Sequence, residues 1–314
     1  MNLDKRSVVY PSTILWSILV AILSACTSRQ EPFIDLNALT PISPSASRDT
    51  LPLRVAVSAV ISPQGTVESY APLLEYIEAT LGRPVELVQR STYAEVNDLV
   101  EMGEVDVAFV CTGAYLIGEL EFGMQILVAP VVNGEAAYHS WLIVPSDSPA
   151  QSITDLRGKT FAFTDPLSHT GRLYPTYLIY QMGERPETFF GRTFFTYSHD
   201  AAIQAVASGL ADGAAVDSLI YTYLVQREPG LEKKLRIIHK SPPFGIPPIV
   251  VSPSIRPQLR AELQAILLEM HKDPQGQDAL AILDIDQFII LENNAYDTAR
   301  DLEIFLGSIA TETP

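Results

Sequence analysis

Residues 160–175 read TFAFTDPLSHTGRLYP and set Ser168, His169 and Thr170 directly before Gly171. Apolar residues lead and helix-compatible spacing follows, which predicts a strand, a short polar loop and a helix. At a helix start the first backbone N–H groups lack intrahelical partners, and the dipole presents its positive end. Two hydroxyls beside such amides make a compact cradle for a small anion without any formal cation. The plainer reading is that Ser168 or Thr170 simply caps the helix, and the segment by itself supports both.

Three further polar loops follow predicted strands or open predicted helices: Ser91-Thr92-Tyr93, Thr112-Gly113-Ala114-Tyr115 and Tyr197-Ser198-His199. Asp217-Ser218 ends another predicted strand. Ligands in open α/β sheets collect beyond the carboxyl ends of strands, so these loops are expected on one crevice, where hydroxyl and imidazole donors predominate. Asp217 is the odd member, because a carboxylate repels a bound anion unless the ligand brings a proton or an amine for it to accept. A structural role, orienting His199 or capping the next helix, fits the sequence as well.

The elements that position these loops alternate in type. A strand is expected at 53–59, an amphipathic helix at 70–81, a strand at 85–89, a helix at 93–102 and a strand at 105–110. Units of this size imply a parallel sheet with crossover helices. Leu73, Leu74, Ile77 and Leu81 have helical spacing, and Gly82 and Pro84 stop that helix. After a strand at 139–144 the order repeats, with strands at 159–163, 193–197 and 211–216 and helices at 171–182 and 201–208. The two units share a phrase: Gly103-Glu104-Val105-Asp106-Val107-Ala108 corresponds to Gly209-Leu210-Ala211-Asp212-Gly213-Ala214. Two similar lobes are therefore expected. Segments 141–144 and 248–252 would form a hinge pair, and helices at 258–272, 274–282 and 295–306 would return to the first lobe. The division is then 53–142 plus 246–314 for lobe one and 143–245 for lobe two.

The N-terminal residues read as an export signal. Lys5 and Arg6 precede an apolar run at 13–23 that leads into Ser24-Ala25-Cys26, the pattern of a signal cut before a lipid-accepting cysteine. That run is too short to span a bilayer, which takes about 20 residues. Residues 1–25 are the expected signal, Cys26 the expected lipidation site, and 26–52, rich in Pro, Ser and Thr, a flexible tether. Cys111 would remain as a single buried, inert thiol, which excludes a disulfide framework. The formal net charge is −16, or −17 without the signal. Such a surface is a poor partner for nucleic acid. It also repels small anions, so an anion site must work through local dipoles. His139, His169, His199, His239 and His271 are far apart with no i, i+4 pair, so no metal and no cofactor is expected.

Several phrases together resemble the phosphate, phosphite and phosphonate binding proteins of ABC transporters, the phosphonate-binding family of type II periplasmic binding proteins. They are STYAEV around Tyr93, GEVDVAFVCTGAY ending at Tyr115, FTDPLSHTGRLYP, PETFF, TYSHDAAIQAVASGLADGAAVDS and the returning PPIVVS, within residues 53–306. The resemblance implies an α/β fold of two lobes, each a mixed, mainly parallel sheet flanked by helices, joined by two hinge strands. It implies that Ser168, His169 and Thr170 bind phosphorus oxygens, with Tyr93 and Tyr115 from the first lobe and His199 and Asp217 from the second. Also implied is a monomeric, non-enzymatic, lipid-anchored protein on the extracytoplasmic face of a bacterial membrane, passing a phosphonate, phosphite or phosphate to an ABC permease. The chain departs from the pattern at Thr170, where serine is common, at the bulkier His169, and at Cys111-Thr112, where a Gly-Pro type pair is usual. Two other outputs stay open: presentation of ligand to a membrane sensor, and hydrolysis by Ser168, His199 and Asp217. No G-x-S-x-G elbow surrounds Ser168.

Overall fold

The computed structural model describes residues 51–311. The expected signal, Cys26 and all but the last two residues of the expected tether lie outside the described residues. The chain builds β1 (Leu53–Val57), α1 (Pro63–Leu81), β2 (Val85–Gln89), α2 (Tyr93–Glu101), β3 (Val107–Phe109), α3 (Thr112–Phe122) and β4 (Gln125–Val131). It passes through β5 (Ala137–Tyr138) into β6 (Ser140–Pro145), β7 (Thr160–Phe163), a wide π-type turn at His169–Leu173 and α4 (Tyr174–Gln181). Next come α5 (Pro186–Phe189), β8 (Arg192–Phe195), α6 (His199–Ala207), β9 (Gly213–Asp217), α7 (Ser218–Arg227) and β10 (Leu235–Lys240). β11 (Phe244–Gly245) leads back to β12 (Ile249–Val251), α8 (Pro257–Glu269), α9 (Pro274–Ile282), β13 (Gln287–Ile289) and α10 (Asp297–Thr311).

Two sheets make two lobes: β13-β4-β12-β3-β1-β2 in the first and β10-β6-β9-β7-β8 in the second. Parallel pairing is confined to the trios β2-β1-β3 and β8-β7-β9. All other joints are antiparallel, so the sheets are mixed without a parallel majority. The cause is that β12 and β6 enter each sheet from the crossing, beside the last strand of the trio, and run against it.

The trios are stitched alike. Asp106 exchanges N–H and carboxylate bonds with the backbone of Arg54 at the start of β1, and Asp212 does the same with Thr160 at the start of β7. Gly103 and Gly209 end the preceding helices with φ of 66° and 74°, a left-handed conformation that costs a glycine little. The shared phrase thus has one structural job in both lobes. Leu73, Leu74 and Ile77 of α1 pack with Leu53, Val55 and Leu263 in the first core, and Ile203 and Val206 of α6 pack with Val216 and Leu235 in the second. Each fully buried aliphatic side chain contributes roughly 1.5–3 kcal/mol.

Three placements differ from expectation. The first helix starts at Pro63, not residue 70, because proline is well suited to a first turn. Residues 141–144 and 248–252 lie inside the sheets, in β6 and β12, so a lobe boundary at 142–143 would cut β6. The strands that join the lobes are β5 and β11, paired antiparallel at Tyr138–Phe244 and Ala137–Gly245. The last helix, expected on lobe one, packs against α3 of the first lobe and against α4 and the His169 turn of the second. Its Phe305 ring lies 5.2 Å from Tyr177. Among the described residues, no helix is long and apolar enough to cross a membrane.

Candidate ligand-binding site

The second lobe supplies a linked set of polar groups. β7 ends at Phe163, and the chain doubles back so closely that a Cβ on Gly171 would run into the Thr164 hydroxyl. Ser168 caps this turn, its Oγ accepting the Gly171 N–H at 3.0 Å. The same Oγ lies 3.4 Å from His199 Nε2. His199 opens α6 behind its Ser198 cap, and its Nδ1 accepts the backbone N–H of Asp217 at 3.0 Å. A nitrogen that accepts cannot carry the proton, so this bond assigns the proton to Nε2. Burial keeps the ring neutral, lowering its pKa to about 3. His199 is therefore a donor toward Ser168.

Asp217 has both structural roles considered for it. Its backbone orients His199, and its Oδ1 caps α7 by accepting the Leu219 N–H at 2.7 Å. Burial raises its pKa to about 7, against a lowering by the N–H groups of Leu219 and Ile220. A catalytic triad does not form. His199 Nδ1 meets a backbone amide, not the Asp217 carboxylate, and Nε2 has no lone pair to take the Ser168 proton.

Around this set lie buried hydroxyls with no protein partner: Thr164 and Thr170 in the second lobe, Ser58 and Tyr93 in the first, and Tyr138 on the joining strand β5. Ser58 follows β1 as Thr164 follows β7. Tyr93 opens α2 behind a Thr92–Glu95 capping box. Burial, with nearby Cys111 and Asp217 adding to it, holds the Tyr93 and Tyr138 hydroxyls well above the ordinary tyrosine range, so both stay protonated donors. Neither ring nitrogen of His169 has a partner. Its ring packs edge-on to Phe244 at 4.3 Å, and burial lowers its pKa to about 3. Cys111 is buried, with its thiol pushed up to about 11 by that burial. An unpaired buried polar group costs about 1–3 kcal/mol. Several in one place call for a guest rich in acceptors and poor in donors, which describes an oxyanion.

The lobes meet around these groups. Tyr93 N–H donates to Asp165 Oδ2 at 3.1 Å, His199 N–H to the Val60 carbonyl at 2.9 Å and Ser62 N–H to Asp200 Oδ2 at 2.9 Å. Ser69 Oγ and the Tyr223 hydroxyl are 2.7 Å apart. Gly113 of α3 abuts the backbone of Leu167 and His169 so closely that a Cβ would strike the Leu167 carbonyl.

Of the expected residues, Tyr93, Ser168, His169, Thr170, His199 and Asp217 are brought together, and Tyr115 is not. Its hydroxyl donates to Glu119 Oε1 at 2.7 Å and lies 3.0 Å from Asn293 Oδ1, while its ring leans on Tyr296. Residues four apart share a helix face, and here that face turns to α10 and away from the crevice. Ser58, Thr164 and Tyr138 were not singled out from sequence. The lobe repeat could have indicated Ser58, through its correspondence with Thr164. Among the described residues no three His, Cys, Asp or Glu side chains gather as a metal centre.

The family described as ABC transporter, phosphonate, periplasmic substrate-binding protein matches residues 55–296. The chain is similar to the phosphate-import protein PhnD of Mycolicibacterium smegmatis, 27% identical over 236 residues that cover 71% of this chain and 70% of the relative. It is 26% identical over 247 residues to the phosphonates-binding periplasmic protein of Escherichia coli, covering 77% and 73%. A solved structure, PhnD1 of Prochlorococcus marinus in complex with methylphosphonate, shares the fold with a TM-score of 0.73 at 17% identity, covering 81% of this chain and 98% of that one. The matched span takes in both lobes and every residue of the site. This chain belongs to the family of phosphonate periplasmic substrate-binding proteins of ABC transporters.

Proposed function

We propose that this protein captures a small phosphorus oxyanion, a phosphonate, phosphite or phosphate, between its lobes and delivers it to an ABC permease on the extracytoplasmic face of a bacterial membrane. The observation that carries this reading is the set of buried, unpartnered hydroxyls drawn from both lobes around Ser168. Ser168, Thr170 and Thr164 bind the oxyanion from lobe two, Ser58 and Tyr93 from lobe one, and Tyr138 from the joining strand. His199 supports Ser168 as a fixed donor. Near neutral pH Asp217 and the bound ligand share a proton, which sulfate does not supply. Support also comes from relatives that carry the names of phosphate-import and phosphonate-binding proteins. The lobes rotate about β5 and β11, hydroxyls and amides replace the ligand's water, and the closed outline is what a permease reads.

The protein acts as a monomer and holds its ligand without turning it over, a reading supported by His199, which among the described residues faces Ser168 as a donor and not as a base. Cys26, acylated after signal cleavage, holds it to the membrane, and two acyl chains make that hold stable. Calorimetric titration with phosphate, phosphite, methylphosphonate and sulfate tests the reading. At least one phosphorus compound should bind at micromolar level or tighter, with sulfate weaker. If none binds below roughly 1 mM, equivalent to about −4 kcal/mol, the reading fails. A Cys26→Ser protein should lose acyl labelling and membrane fractionation together.

A further inference from the structure

We infer that the ligand is an organophosphonate whose uncharged, apolar substituent is larger than methyl and lodges in a cavity beside the hydroxyl cradle. This rests on the oxyanion reading above and names what the phosphorus carries. The cavity, of about 500 Å³, lies between the first lobe and α7, with Val57, Val60, Phe109, Val110, Ile220 and Ile246 among its walls. It adjoins the cradle at three points. Val57 precedes Ser58, the Val60 carbonyl receives the His199 N–H, and Asp217 belongs to both spaces. A group on phosphorus that points past Asp217 enters this cavity. Its volume is ample for a ring, since about 150 Å³ already holds benzene.

Charge decides the kind of substituent. No Lys or Arg lines the cavity, so a second anionic group would meet no cation. The lining acids are already engaged. Asp284 pairs with Arg227 at 3.0 Å, Asp286 accepts the Gly134 N–H at 2.7 Å, and Asp217 caps α7. An ammonium arm would give up its water for carboxylates that already hold protein donors. The tyrosines at the wall present aromatic surface: Tyr70 sits edge-on to Phe109 at 5.1 Å, and the Tyr223 hydroxyl is taken by Ser69. Apart from Asn133, Thr222, Gln226 and Gln277, what the wall offers a substituent is apolar and aromatic contact.

The test is calorimetric titration of the full-length protein with inorganic phosphate, phosphonoacetate and the methyl, propyl, phenyl and 2-aminoethyl phosphonates. Each buried methylene should tighten binding about fourfold, so propylphosphonate should exceed methylphosphonate by roughly fifteenfold and phenylphosphonate should be tighter still. Phosphonoacetate should bind more weakly than methylphosphonate, and the aminoethyl compound more weakly than the propyl. Ile220→Trp, which fills the cavity, should bring propyl and phenyl down to the methyl level and leave methylphosphonate within about twofold. A thermal melt reports its folding, and Gln226→Trp, on the same wall, replaces it if it does not fold. Affinity that is flat or falling from methyl to phenyl, or tightest for the aminoethyl compound, overturns the inference and leaves the oxyanion reading standing. Absence of binding by every phosphorus compound overturns both.

Discussion

The two lobes carry the same backbone device with different chemistry at its tips. Ser58 and Thr164 follow the central strands, Tyr93 and His199 open the helices after β2 and β8, and Cys111 and Asp217 precede the helices after β3 and β9. In the second lobe Thr164 is unpartnered too, but Ser168, His199 and Asp217 are wired together: Ser168 to Gly171 and His199, His199 to Asp217, Asp217 to Leu219. In the first lobe the hydroxyls of Ser58 and Tyr93 bond to nothing in the protein. Lobe two therefore holds a wired anchor, Ser168 with His199 and Asp217, beside its free hydroxyls, whereas lobe one delivers only loose donors whose position depends on closure. The asymmetry makes separable demands on affinity and on stability.

The largest effect should come from the junction itself. Gly113→Ala puts a methyl against the Leu167 carbonyl across the lobe boundary, and overpacking of that kind costs about 1–3 kcal/mol. Affinity should fall up to about 100-fold in calorimetry. The unfolding midpoint should barely move, because the lobes can part to relieve the clash. A midpoint that drops in step with affinity would mean the contact belongs to the fold and not to closure.

Ser168→Ala should follow, with an affinity loss near 30-fold, since a hydrogen bond to a charged partner contributes about 1.5–3 kcal/mol. It also removes a cap, so stability should fall by about 1 kcal/mol. Tyr93→Phe provides the contrast. It should weaken binding about fivefold and leave stability equal or slightly higher, because it deletes a buried hydroxyl that has no partner. Equal losses from Ser168→Ala and Tyr93→Phe would break the anchor and donor distinction.

The same asymmetry governs what the sequence revealed. Most of the lobe-two site was legible because Ser168, His169, Thr170 and His199 sit at helix starts, where local amide chemistry selects Ser, Thr, Asp and a following Gly, whereas Thr164, at a strand end, was missed. The strand and helix alternation, the repeated Gly-x-x-Asp phrase and the crevice were legible for similar local reasons. Tyr115 was misplaced because a residue one turn into a helix owes its direction to the partner helix, and Glu119 with α10 decides it. Ser58 and Tyr138 carry no local signature, one at a strand end and the other in a two-residue strand whose pairing is non-local. The joining strands were missed because AY and FG are too short to show periodicity. The apolar runs at 141–144 and 248–252 drew attention as hinges, yet their apolarity marks burial inside a sheet.

The smallest effect concerns the residues that precede the helices after β3 and β9. Burial holds the Cys111 thiol at about 11 and Asp217 at about 7, so of this pair only the second lobe's member titrates near neutrality. Above pH 7 Asp217 gains charge beside the bound anion, and affinity should decline a few-fold from pH 7 to 8. Asp217→Asn should remove that part of the decline, and the ligand's own titration, common to both proteins, cancels in the ratio. The stability profile gives an independent check with a defined sign. Between the ordinary carboxylate value near 4 and about 7, folded Asp217 holds a proton that the unfolded chain has lost, so its contribution to stability shrinks as pH rises. His169 and His199, lowered to about 3, act in the opposite sense, and their contribution is lost as pH falls from about 6.5 toward 3. In the native protein the Asp217 trend offsets part of that of the two histidines between pH 4 and 6.5. Asp217→Asn removes one of the opposing trends, so its unfolding midpoint should fall more steeply on acidification than that of the native protein. Parallel profiles would show that Asp217 is ionised in the folded state, and the second lobe would then differ from the first in wiring alone.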